Sequence, residues 1–120
     1  MIKQIIKKKQ RIKKHNKIRS KIIGTNKIPR ICVFKSIKYI EAQIIDDIKG
    51  NTLVHASSLE FKKDGEVLNN IETSKKVGEL LANKAIKNGI KKVVFDRSGY
   101  IYHGKIKSLA DGARIGGLEF

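Results

Sequence analysis

The chain has 120 residues, with 27 Lys or Arg against 11 Asp or Glu and a formal net charge of +16. That length suits one domain with one modest core. No run of about 18 apolar residues is present to span a membrane. No apolar block with a small-residue cleavage site marks a secretory leader. The lone cysteine, Cys32, allows no disulfide and no cysteine metal knuckle, so a reducing cytoplasm fits.

The charge is unevenly placed. Residues 1–40 hold 14 Lys or Arg and no acid, which leaves 13 basic residues beside all 11 acids in the remainder. A basic extension over residues 1–26 therefore precedes a nearly neutral body over 27–120. Such an extension repels itself when free and settles against a polyanion. Its isoleucines at 2, 5, 6, 12, 18 and 22 roughly follow helical spacing, while like charges weaken an isolated helix. The expectation is a segment mobile in solution that becomes helical or extended on binding. Gly24-Thr25-Asn26 is a break, and Pro29 fixes the entry into the body.

Three strands follow, over about 30–36, 39–46 and 52–58, and "DDIKGN" supplies a turn at Gly50. Short links make this an antiparallel meander. Cys32, in the apolar run "ICVF", reads as a small buried core residue. Asn69 and Glu72 have the spacing of a capping box, ahead of a stripe of Val77, Leu80, Leu81 and Ala85, and Gly89 is placed to end that helix. "KKVVFD" reads as a short buried strand, and Ile106, Leu109, Ala110 and Ala113 outline a second helix ending near Gly116-Gly117. The expected fold is α/β. It has a mixed sheet in which a right-handed helical crossover adds a parallel strand to the meander, with a C-terminal helix and the basic extension.

The run "FDRSGYIYHGK", residues 95–105, concentrates the chemistry at the C-terminal end of a strand, where open α/β sheets place ligands. A catalytic triad would need Ser98, His103 and Asp96 in contact, but no nucleophile elbow surrounds Ser98. His15 and His55 lie far from it in sequence, so no metal triad is indicated. "GARIGG" follows a helix and is no dinucleotide fingerprint. Nothing calls for a cofactor or a small-molecule substrate. Arg97, Tyr100, His103 and Lys105 instead offer a grip for phosphates and bases, with Gly99 and Gly104 letting backbone N–H groups come close. The bland alternative is an ordinary βα loop with a half-buried tyrosine. In "RICVFKSIKYI", Arg30, Lys35, Lys38 and Tyr39 either add basic contacts or are solvated residues at a strand end. For the extension, with Lys7, Lys8, Lys9, Arg11, Lys13, Lys14, His15, Lys17, Arg19 and Lys21, nucleic acid is the favoured partner. A cationic peripheral binder of membrane surfaces is the second reading.

"GTNKIPRICVFKSIKYIEAQIIDDIKGNTL" and "KKVGELLANKAIKNGIKKVVFDRSGYIYHGKIKSLADGARIGGLEF", with the basic opening, resemble the bacterial ribosomal protein L eighteen family over nearly the whole chain. The resemblance implies an α/β domain that binds 5S ribosomal RNA in the central protuberance of the large ribosomal subunit, in the cytoplasm. It also implies contact with the large-subunit ribosomal RNA and a neighbouring 5S-binding ribosomal protein. It implies neither catalysis nor a cofactor. Arg30, Lys35, Ser36, Arg97, Gly99, Tyr100, His103, Gly104 and Lys105 match the family motif and take the RNA-contact role by resemblance. Ser98 stands where glycine is usual, which costs something if that site needs a positive φ. Lys35 and Lys105 stand where arginine is usual, keeping the charge without the bidentate fork. Gly112 replaces alanine within the last helix, at an expected cost of roughly 0.5–1 kcal/mol.

Overall fold

The computed structural model describes residues 2–61 and 70–120, with side chains of the first helix from residue 5 onward. Helix α1 runs Ile2–Arg19. Strands β1 (Arg30–Lys35), β2 (Ile40–Asp46) and β3 (Asn51–Ser57) follow, then a 3₁₀ turn at Ser58–Phe61. Helix α2 (Ile71–Lys87), strand β4 (Val94–Asp96) and helix α3 (Lys105–Ile115) complete the order. The sheet runs β3-β2-β1-β4, with the first three antiparallel and β4 parallel to β1. The meander, the crossover through α2 and the C-terminal helix therefore stand as expected, with strand limits shifted by a residue.

Alternation explains which face is buried. In β2, Ile40, Ala42 and Ile44 point to the core while Glu41, Gln43 and Ile45 are only half-buried. The register brings Ile31 opposite Ile44 and Val33 opposite Ala42, which extends the apolar face across β1. Helices α2 and α3 cover it with Val77, Leu81, Ala85, Ile106, Leu109 and Ala113, all fully buried. The stripes foreseen on both helices thus face the core, with Leu80 at the margin. Cys32 corrects one expectation. Its neighbours Ile31 and Val33 take the core face, so Cys32 is half-buried on the opposite face, 3.4 Å from Ser98 Oγ.

The start of α2 is capped by Asn70, whose side chain accepts a hydrogen bond from Thr73 N at 2.8 Å. The capping position expected at Asn69 lies outside the described residues. Gly89, at φ +77°, ends this helix as its position predicts. Two glycines then let α2 and α3 approach closely. A Cβ on Gly78 would lie 2.0 Å from the Leu109 carbonyl oxygen, and one on Gly112 would lie 2.2 Å from that of Lys75.

A candidate nucleic-acid interface around Tyr100

The sheet face away from the core carries a buried charge cluster near β1 and β4. Arg30 is at its centre and only 7% exposed. It forks onto Asp47, with Nε 3.0 Å from Oδ2 and Nη2 3.0 Å from Oδ1, and its Nη1 reaches Asp96 Oδ2 at 2.8 Å. Burial is the largest single influence and works against the guanidinium charge, but the hydrogen bonds and attraction of Asp47, together with the interaction with Cys32, sum to raise the pKa. The same bonds from Arg30 hold Asp47 down at about 2, against burial and with help from Gly24 N. Arg30 is therefore a buried tie between strands. The surface contact that the family motif implies for it has no side chain at the surface to make it.

Asp96 is fully buried. Besides Arg30 it accepts from Ser98 N at 2.8 Å and meets His15 Nε2 at 3.1 Å. These bonds order the turn after β4. Ser98 there adopts φ +54°, the left-handed region that the usual glycine would occupy freely. Gly99 follows at φ +79°, and a Cβ on it would lie 2.1 Å from the Arg11 carbonyl oxygen. Its missing side chain makes room for helix α1, and Gly99 also lines the groove between that helix and the 99–105 loop.

Helix α1 thus lies on this turn. Its inward residues are Arg11, His15, Ile18 and Arg19, each partly buried. Arg11 stacks over Tyr100 at 4.7 Å, and Arg19 Nη1 donates to Ile22 O at 2.6 Å and to Asp47 Oδ2 at 3.3 Å. The isoleucine pattern pointed to a different face, because Ile5, Ile6 and Ile12 are exposed. Lys9 and Lys13 lie between them around the helix, so among the described side chains of α1 the apolar face is interrupted by charge. Among the described residues no helix is long and apolar enough to cross a membrane.

Between α1 and the 99–105 loop runs an open groove of about 800 Å³. Lys7, Arg11 and Lys14 from α1, Lys35 from the end of β1 and Lys105 from the start of α3 line it, with His103 at the rim. None of the described residues lining it is acidic. Tyr100 holds the groove together. Its hydroxyl donates to Lys35 O at 3.1 Å, and Lys35 Nζ lies 5.6 Å from the ring that Arg11 covers. The ring is thereby occupied by cations from its own chain. A second groove, of about 390 Å³, continues along α1 between Lys14, Lys17, Lys21 and Arg97. Arg97 itself donates to Tyr100 O at 2.6 Å.

Other expected site residues are placed differently. Lys8, Lys9 and Lys13 are exposed on α1 outside both grooves. Ser36 Oγ accepts from Lys38 N at 3.2 Å and Tyr39 N at 3.1 Å, tightening the β1–β2 turn and leaving Lys38 exposed. Gly104, by contrast, does line the larger groove, at φ +58° with open space around it, just before α3. Asp47 was legible only as part of a turn, since its partners Arg19, Gly24 and Arg30 are distant in sequence. Gln10 and Ile71, which also line the groove, carried no sequence signal. Among the described residues no group of three His, Cys, Asp or Glu could hold a metal ion.

A small α/β body whose basic groove has no carboxylate among its described lining residues has the features of a polyanion-binding protein. The family model for ribosomal L18 of archaea, bacteria, mitochondria and chloroplasts matches residues 5–120. The large ribosomal subunit protein uL18 of Clostridium kluyveri is 57% identical over the full length of both chains. Those of Thermotoga petrophila (54%, both chains in full) and Dictyoglomus thermophilum (59%, covering 89% of each) are similar. The chain belongs to the ribosomal L18 family.

Proposed function

We propose that this protein binds 5S ribosomal RNA through the groove around Tyr100 and helps attach it to the large-subunit ribosomal RNA. Membership of the family makes the chain a structural, RNA-binding constituent of the large ribosomal subunit, in a family not known for enzymatic activity. The finer reading rests on one observation. Five Lys or Arg from three elements, with His103, converge on one groove among whose described lining residues there is no acid. Crowding cations is costly without an anion to neutralise them, and a phosphate backbone supplies that anion at regular spacing. Residues 1–26 act as the RNA-binding extension and 27–120 as the domain that carries the loop. Lys7, Arg11, Lys14, Lys35, His103 and Lys105 make the contacts, extended by Lys17, Lys21 and Arg97. Neighbouring 5S-binding ribosomal proteins complete the assembly.

The test is binding of the full chain to 5S RNA, with transfer RNA as control, across a salt series. Preference for 5S RNA is expected, and Lys35→Glu combined with Lys105→Glu should weaken binding at least ~10-fold. Equal binding of both RNAs, or an unchanged affinity in the double variant, overturns the reading.

A further inference from the structure

We propose that the turn at residues 96–99 is the seat on which α1 must dock for the extension and the loop to grip RNA as one surface. In this proposal, which rests on the RNA-binding reading above, Asp96 and Gly99 are positioning residues that touch no RNA themselves. The geometry is specific at both. Asp96 is fully buried and joins the Arg30 guanidinium, the Ser98 amide and the imidazole of His15 on α1. Gly99 meets the helix backbone itself, since its Cβ would fall 2.1 Å from Arg11 O and 3.0 Å from His15 N. Arg11 and His15 are one turn apart, so these two contacts fix both the position and the rotation of α1. Lys7 and Lys14 lie one turn before and just under one turn after Arg11, and their place in the groove follows from that rotation. The Arg30 contact of Asp96 leads inward, because Arg30 carries the connection on to Asp47, which also holds Arg19 near the end of α1. A free basic tail would supply the same charge, but each lysine would have to be ordered separately on the RNA.

A double-mutant cycle on the full-length protein tests this. Gly99→Ala adds one methyl group and removes no charge. Binding to 5S RNA should nevertheless fall about tenfold, with the slope of affinity against salt unchanged. Lys14→Ala, which weakens the wild type, should have a much smaller effect in the Gly99→Ala background, since Lys14 is then no longer placed. His15→Ala provides a variant confined to α1 whose partner Asp96 keeps Arg30 and Ser98. It should repeat the tenfold loss and the non-additivity with Lys14→Ala if Gly99→Ala does not fold. Additive effects in the cycle overturn the seat. So does wild-type affinity in His15→Ala, or a loss accompanied by a shallower salt slope, which would make the residue a phosphate contact. The same cycle on transfer RNA separates the two proposals. Absent preference for 5S RNA refutes the assigned partner, while additivity on whichever RNA binds refutes the seat. Failure to bind either RNA refutes both.

Discussion

At Gly112 two requirements oppose each other. Inside a helix, glycine is less favourable than alanine by up to about 1 kcal/mol. Yet a Cβ there would collide with the backbone of Lys75, which cannot move without shifting α2. The packing requirement decides, so Gly112→Ala should lower stability by about 1–3 kcal/mol, read as a reduced urea midpoint. A stabilised variant would show that α2 and α3 separate at little cost. The helix-propensity cost was legible from the sequence, and the reason for tolerating it was not, because Lys75 and Gly112 are neighbours only across the helix interface. Ser98 is the converse case. Its φ of +54° carries strain that the family's usual glycine would lack, as the sequence comparison with the motif anticipated. Ser98→Gly should therefore raise stability, by about 1 kcal/mol at most, because the Cys32 contact is lost and the unfolded chain gains freedom.

For the elements, burial of charge sets the arrangement. Arg30 ties β1 to the β2–β3 turn through Asp47 and to the end of β4 through Asp96. Only a planar fork can reach both carboxylates with this geometry. Arg30→Lys, though it keeps the charge, should cost about 2–3 kcal/mol in chemical denaturation. The Asp47 carboxylate titrates near 2 in the folded chain against an ordinary 3.8. Its contribution of about 1–2 kcal/mol is then fully present above pH 4 and lost as pH falls from about 4 through 2. Unfolding measured over that range should show the decline, and Asp47→Asn should flatten it. Helical periodicity in the extension was legible, but its contact face was not. Isoleucine spacing suggested an apolar stripe, whereas Arg11, His15 and Arg19 make the contacts because the surface that receives them holds Asp47, Asp96 and the Tyr100 ring.

On the scale of the molecule, position separates lysines that composition treats alike. Lys35 and Lys105 line the groove, while Lys8 and Lys13 project outside it. Replacing either of the first pair by alanine should reduce the salt slope of RNA binding by about 1, as expected for one lost phosphate contact. Replacing either of the second pair should change the slope less. Equal changes at all four positions would mean that the charge acts as a diffuse cloud, without a groove.

The sequence by itself determined the strands of the sheet and the helices α2 and α3 with their core stripes, the family and the concentration of charge in the first third. Those properties depend on local periodicity and on composition, which a linear reading preserves. Only the tertiary structure decided that Arg30 is buried, that Gly99 and Gly112 accommodate neighbouring backbone, and that Tyr100 gathers Arg11 of α1 and Lys35 of β1 around its ring. Each of these depends on partners far apart along the chain, where burial and close contact fix what a charge or a missing side chain can do.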